Sequence, residues 1–176
     1  MSKTTMKVHF SSGSDEWATP MNLFKRLNKR FKFNLDPCCT AKTAKCKTFY
    51  TKETDGLSKD WGQKTVFVNP PYSRGEQEKW IAKCWDAAAR GAIVVLLIPA
   101  RTDTQTWHEY CQKGIVRFLK GRVHFINGEK CAAAPFPSCL VAFAPDPISF
   151  VNVSMGLDDF IAEWNNLPSK ERNKSA

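Results

Sequence analysis

An asparagine, two prolines and a tyrosine stand in a row at Asn69-Pro70-Pro71-Tyr72, directly after the run Thr65-Val66-Phe67-Val68. A β-branched, apolar run of that kind reads as a buried strand. Two successive prolines hold φ at about −65° twice and remove two backbone donors, so the strand must end in a rigid, extended tip. That tip displays one amide side chain, the carbonyl of Pro70 and one aromatic ring. Two acceptors beside a flat ring suit a planar amine that is stacked while its protons are drawn away. A tetrapeptide of this type arises by chance in roughly one chain of this length in two hundred. The competing reading is a structural Pro-Pro turn.

Other elements must hold that tip in place. Asp15-Glu16-Trp17-Ala18-Thr19-Pro20 leads into a helix, with Thr19 as its cap and Pro20 at the first helical position. Leu23, Phe24, Leu27 and Phe31 share one face of it, and Lys25, Arg26, Lys29 and Arg30 cover the other. Residues 33–36 are a short strand candidate ending on Asp36, and residues 48–51 another. Residues 76–90 predict a helix with Trp80, Ile81, Cys84, Trp85 and Ala88 inside and Gly91 closing it. Residues 92–98 are continuously apolar and stop at Pro99, which marks a central parallel strand covered on both faces.

A third helix is expected over residues 103–113, strands over 115–119, 122–126 and 138–144, and an amphipathic helix over 157–167. Asn127-Gly128 marks a turn, but the Pro- and Ala-rich stretch to Ser138 is too long for a tight hairpin between the last two strands. This alternation predicts an α/β fold with a mostly parallel central sheet and helices on both faces. Ligands bind at the carboxyl ends of such strands. Asp36, Asn69 and Pro99 all fall at such ends and are expected to face one crevice.

Bulk properties narrow the class. The chain has 176 residues, 43% of them hydrophobic and 24% charged, which suits a single globular domain with a real core. Its net charge of +9 favours an acidic partner such as nucleic acid. No signal peptide or membrane span is visible, so a cytoplasmic location is expected. The seven cysteines are scattered, with no Cys-x-x-Cys pair, which argues against a disulfide framework or a zinc site.

Taken in order, Asp15-Glu16-Trp17-x-Thr19-Pro20, Leu35-Asp36-Pro37, Asp55-Gly56-Leu57, Asn69-Pro70-Pro71-Tyr72, Pro99-Ala100-Arg101-Thr102-Asp103-Thr104 and Gly121-Arg122-x-x-Phe125 resemble the phage-type, Dam-like DNA N6-adenine methyltransferases. The resemblance runs from about residue 12 to residue 147. It implies a class I, Rossmann-like methyltransferase fold that uses S-adenosylmethionine, with no metal. A flexible arm over residues 1–14, one catalytic domain over 15–167 and a disordered tail over 168–176 are expected around it.

The resemblance makes Asn69, Pro70, Pro71 and Tyr72 catalytic. Asn69 and the Pro70 carbonyl would accept hydrogen bonds from the adenine amine, while Tyr72 stacks on a base flipped out of the duplex. It places the methionine end of the cofactor near Trp17, Thr19 and Asp36, with Pro20, Pro37 and Cys38 as further cofactor-binding residues. Asp55 and Leu57 are matched to the adenine end. One departure stands out: the glycine-rich loop usual after the first strand is missing. Close backbone approach would then depend on small side chains such as Cys38, Cys39 and Ala41.

Double-stranded DNA is the implied substrate, with Ser73, Arg74, Arg101 and Arg122 as candidate contacts. Sequence reading must come from short loops, since no insertion is large enough for a separate recognition domain. Cytosine N4, an RNA base and a protein glutamine remain alternative acceptors for the same Asn-Pro-Pro-Tyr tip. A non-enzymatic nucleic-acid-binding module is a further alternative. The resemblance suggests a phage gene acting in the host cytoplasm.

Overall fold

β-Branched and apolar residues concentrate in two runs, and these become neighbouring strands. A computed structural model describes residues 17–174. Its elements are α1 (Met21–Phe31), β1 (Thr65–Val68), α2 (Glu76–Ala89), β2 (Ile93–Pro99), α3 (Gln105–Glu109), β3 (Ile115–Phe118), β4 (His124–Asn127), β5 (Lys130–Ala133), β6 (Ser138–Phe143), α4 (Pro147–Asn166) and α5 (Ser169–Arg172). The main sheet has the order β1-β2-β6-β3. β1 and β2 are parallel, while β6 runs against both β2 and β3. Leu35 bridges Val66 in parallel and Asp36 bridges Phe49 in parallel, which carries the sheet beyond β1. Only β6 is therefore reversed, and the sheet is mostly parallel as expected.

Strand alternation divides the core into two layers. Val66, Val68, Val94, Leu96, Ile98, Cys139 and Val141 meet Trp80, Ile81, Cys84 and Ala88 of α2 on one face. Phe67, Val95, Leu97, Leu140 and Ala142 meet Leu23, Phe24 and Leu27 of α1 and Val153, Leu157, Phe160 and Trp164 of α4 on the other. β2 is buried along nearly its whole length because it is covered on both sides. Outside this sheet, β4 and β5 form an antiparallel pair, and Ala18 bridges Ile126 of β4.

Several elements differ from expectation, each for a local reason. α1 starts at Met21 with Pro20 as its cap residue, and no side chain caps it. Pro20 is extended, at ψ 139°, and Thr19 is buried instead of capping. The helix expected over 103–113 is only α3 and then a 3₁₀ turn at Cys111–Lys113. α4 begins ten residues early, capped by Asp146 with Pro147 in its first turn. Its first half hides from pattern reading because Ile148, Val151 and Met155 are exposed. Asn127-Gly128 does open a tight hairpin, but onto β5 rather than β6: Asn127 pairs with Lys130, and Gly128 sits at φ 60°. The expected tail is ordered through α5, where Asn22 Nδ2 donates to the Glu171 carbonyl. The arm expected over residues 1–14 lies outside the described residues.

Gly56 solves the close-approach problem that the missing glycine loop posed. A Cβ on it would stand 2.1 Å from the Pro37 carbonyl oxygen, so the Asp55-Gly56-Leu57 turn packs its backbone directly on the Asp36-Pro37 turn. Trp61 Nε1 donates to the Gly56 carbonyl at 2.9 Å and pins it there. Gly56→Ala is expected to destabilise the fold by about 1–3 kcal/mol through overpacking. A drop in the denaturant midpoint checks this, and an unchanged midpoint would refute the close contact.

Candidate active site

The strand tip is held from two directions. Asn69 Nδ2 donates to the Trp17 carbonyl at 2.8 Å, so the amide nitrogen is spoken for and Oδ1 must face the other way. The Tyr72 hydroxyl lies 2.7 Å from Asn69 Oδ1 and 3.1 Å from the Leu97 carbonyl. Its single proton can serve one of them at a time, and Oδ1 keeps a second lone pair in either case. Among the described residues nothing donates to the Pro70 carbonyl. The Tyr72 ring stands nearly perpendicular to Phe125 and Phe136, at 5.8 and 5.4 Å between centroids. Burial raises the phenol well above its ordinary pKa, so it stays protonated.

Arg101 was a candidate DNA contact, and the structure turns it inward. Its Nη1 donates to Gln77 Oε1 at 2.8 Å and its Nη2 to the Tyr72 carbonyl at 3.0 Å. A tight turn causes this: Arg101 N donates to the Pro99 carbonyl, and Thr104 N and Oγ1 both donate to the Arg101 carbonyl. Gln77 is itself buried. Arg101 thus ties the end of β2, the start of α2 and the Asn-Pro-Pro-Tyr tip together. Sequence reading placed the arginine near the crevice but could not see its partners.

Asp36 sits beside the tip on the adjacent strand and is only 3% exposed. Its Oδ1 accepts from Cys38 N at 3.4 Å and its Oδ2 from Lys45 N at 2.9 Å. Burial raises its pKa, opposed by those backbone donors and by the Lys45 charge. A carboxylate kept buried without an ion pair is a cost that functional sites often carry. Thr19 Oγ1 is also buried, at 1% exposure for the residue, and has no hydrogen-bond partner among the described residues. Pro37 is buried and Cys38 half-buried, with the thiol raised by desolvation first and by Asp36 second. Asp55 is exposed, its Oδ1 accepting from Leu57 N at 3.2 Å in a side-chain-closed turn at φ 49°. Leu57 is half-buried against the α2-side core.

The basic surface sorts itself by partners. Arg26 and Arg30 both pair with Glu163 of α4, and Arg117 pairs with Asp158. Arg74 and Arg122 are exposed and have no acidic partner among the described residues. Ser73 is half-buried, its carbonyl capping Gln77 N. Trp107 is core, whereas Phe136 lies against Tyr72. Sequence reasoning missed Lys45, Gln77 and the site role of Phe125. No three His, Cys, Asp or Glu side chains gather as a metal site among the described residues, and none of their helices is long and apolar enough to cross a membrane.

Aligned parallel strands ending at Asp36, Asn69 and Pro99, with one reversed strand toward the far edge, define a class I methyltransferase fold. The DNA N-6-adenine-methyltransferase (Dam) family model matches residues 5–153, and the chain belongs to that family. It is 32% identical over 153 residues to a DNA N-6-adenine-methyltransferase of Haemophilus phage HP1, covering 82% of this chain and 86% of that protein. A DNA N-6-adenine-methyltransferase of Escherichia phage T1 is 28% identical over 134 residues, 65% of this chain and 55% of the relative.

Arg101→Ala is expected to lower kcat by roughly a hundredfold, because the tip loses its strut and drifts from attack geometry. The DNA KM and its salt dependence should change little. A DNA-contacting arginine would instead raise KM and flatten the salt dependence, so steady-state kinetics at two salt concentrations separates the two roles.

Proposed function

We propose that this cleft transfers a methyl group from S-adenosylmethionine to the N6 amine of an adenine flipped out of double-stranded DNA. Family membership supports adenine N6 as the acceptor. The observation that carries the mechanism is the fixed Asn69 amide, whose Oδ1 faces away from Trp17, beside a Pro70 carbonyl that no described residue donates to. Both oxygens accept hydrogen bonds from the adenine amine. Its lone pair is delocalised into the ring, so it is a weak nucleophile until the N–H bonds are drawn toward fixed acceptors. Because the acceptors are held before the base arrives, no reorganisation is needed at the moment of reaction.

Bound S-adenosylmethionine supplies an electrophilic methyl group on a sulfonium. The buried Asp36 carboxylate and the unpartnered Thr19 hydroxyl fit its methionine end, with Trp17, Pro20, Pro37 and Cys38 walling that region. Asp55 and Leu57 take the adenine end. Neither amide oxygen is basic enough to keep a proton, and the Tyr72 phenol stays neutral, so the proton lost from the methylated amine passes to water. Tyr72 and Pro71 form the wall on which the base rests, braced by Phe125 and Phe136. Ser73, Arg74 and Arg122 contact DNA phosphates next to the flipped base. Residues 15–167 act as one catalytic unit, in the cytoplasm of the phage's host.

Transfer of a labelled methyl group to unmethylated duplex DNA, followed by nucleoside analysis, tests the reading. N6-methyladenine is the expected product; N4-methylcytosine would overturn the choice of base, and labelled RNA or protein alone would overturn the substrate. Asn69→Ala should cut transfer at least roughly a hundredfold while leaving cofactor binding intact. Tyr72→Phe removes one hydrogen bond and should cost no more than about tenfold. Tyr72→Ala should mainly weaken binding to DNA with an extrahelical base, by roughly ten- to a hundredfold. Equal effects of the two Tyr72 substitutions in a binding titration would remove the stacking role.

A further inference from the structure

Lys45 closes the turn that holds Asp36, through its backbone N–H on Oδ2 at 2.9 Å. Its side chain lies half-buried over the start of α1, and its Nζ has Met21 Sδ, at 3.3 Å, as its hydrogen-bond acceptor. A thioether is a weak acceptor, whereas an ammonium brings three donors. No carboxylate among the described residues comes within ion-pair distance of it. Lysine is among the residues least often buried without a partner. Desolvation pushes its pKa down, and the nearby Asp36 charge opposes that.

Two further groups in this neighbourhood lack part of the partners they could take. Asp36 is buried with a backbone donor on each oxygen but, among the described residues, no counter-ion within ion-pair distance. Thr19, two residues before Met21, has an orphaned buried hydroxyl. One anion, one cation and one neutral hydroxyl, all short of partners, are complementary to a zwitterion. The free amino-acid end of the cofactor is such a group.

We propose that Lys45 binds the α-carboxylate of the methionyl end of S-adenosylmethionine, opposite Asp36, which takes the α-ammonium. This rests on the cofactor reading above. Binding then exchanges an incompletely paired Asp36 and Lys45 for an alternating row of four charges, in a partly desolvated site where such hydrogen bonds are strong. Thr19 Oγ1 supplies a neutral contact to the same end.

A purely structural lysine would only keep Asp36 charged, and a ligand comparison tells the two apart. Calorimetric binding of S-adenosylmethionine and of its decarboxylated analogue, which keeps the ammonium, is measured without DNA. The wild-type protein should prefer the intact cofactor by roughly ten- to a hundredfold. Lys45→Met should erase that preference while binding the analogue as wild type does, and Lys45→Arg should restore part of it. Equal losses for both ligands would mean that Lys45 acts through Asp36 or through folding, and would overturn the assignment. An unchanged preference in Lys45→Met would overturn it as well. Wild-type protein that binds neither ligand would remove the cofactor reading, and this proposal with it.

Discussion

An asparagine side chain is nearly symmetric in shape and opposite in function at its two ends. In the proposed reaction only the oxygen helps a substrate amine, so that reading depends on something that holds the nitrogen. The Trp17 carbonyl does this at 2.8 Å from Asn69 Nδ2. Trp17 is in turn placed by its neighbour Ala18, which exchanges two backbone hydrogen bonds with Ile126, at 2.8 and 3.0 Å. The β4–β5 hairpin, outside the main sheet, therefore sets the orientation of an amide on the main sheet. The same β4 contributes Phe125, which braces the Tyr72 ring. One small hairpin thus positions both the acceptor and the aromatic wall.

A second constraint joins turns that are nineteen residues apart in sequence, from Asp36 to Asp55. The first follows Leu35, which pairs with β1, and the absence of a side chain at Gly56 lets the two backbones touch at Pro37. Where a glycine-rich loop was missing from the sequence there is therefore a close-packed pair of turns. Asp36 stays buried there because backbone N–H groups serve both of its oxygens. Its raised pKa shows that these donors do not fully offset desolvation. Such residual electrostatic demand suits a charged ligand more than it suits fold stability.

Some of the basic residues are paired within the fold, where Arg26 and Arg30 grip Glu163 and so lace α1 to α4. Arg117 does the same between β3 and α4. Arg101 is consumed by the tip and by Gln77. Arg74 and Arg122 are exposed and have no acidic partner among the described residues, one just after the tip and one just before the hairpin. Partly exposed ion pairs of this kind add little stability.

The chain by itself determined the layers and the location of the tip. The apolar run through β2 and the helical spacing in α1 and α2 can satisfy burial in few ways, and two prolines after a strand leave the backbone little choice. Those are local constraints, so they are legible in order along the sequence. The ends of adjacent strands then had to bring Asp36 and Asn69 side by side, because parallel strands share their direction. What only the tertiary structure decided is where the polar atoms point. Thr19 carries the signature of a helix cap, yet packing buries its hydroxyl unpaired. Arg101 has the look of a DNA contact, yet a turn stabilised by Thr104 swings it onto the Tyr72 carbonyl. Lys45 had no signal at all, since a lysine in a loop is solvated by default and only burial beside Asp36 makes it unusual. Hydrogen bonds act over about 3 Å and are made between residues far apart in sequence, so spacing along the chain does not encode them.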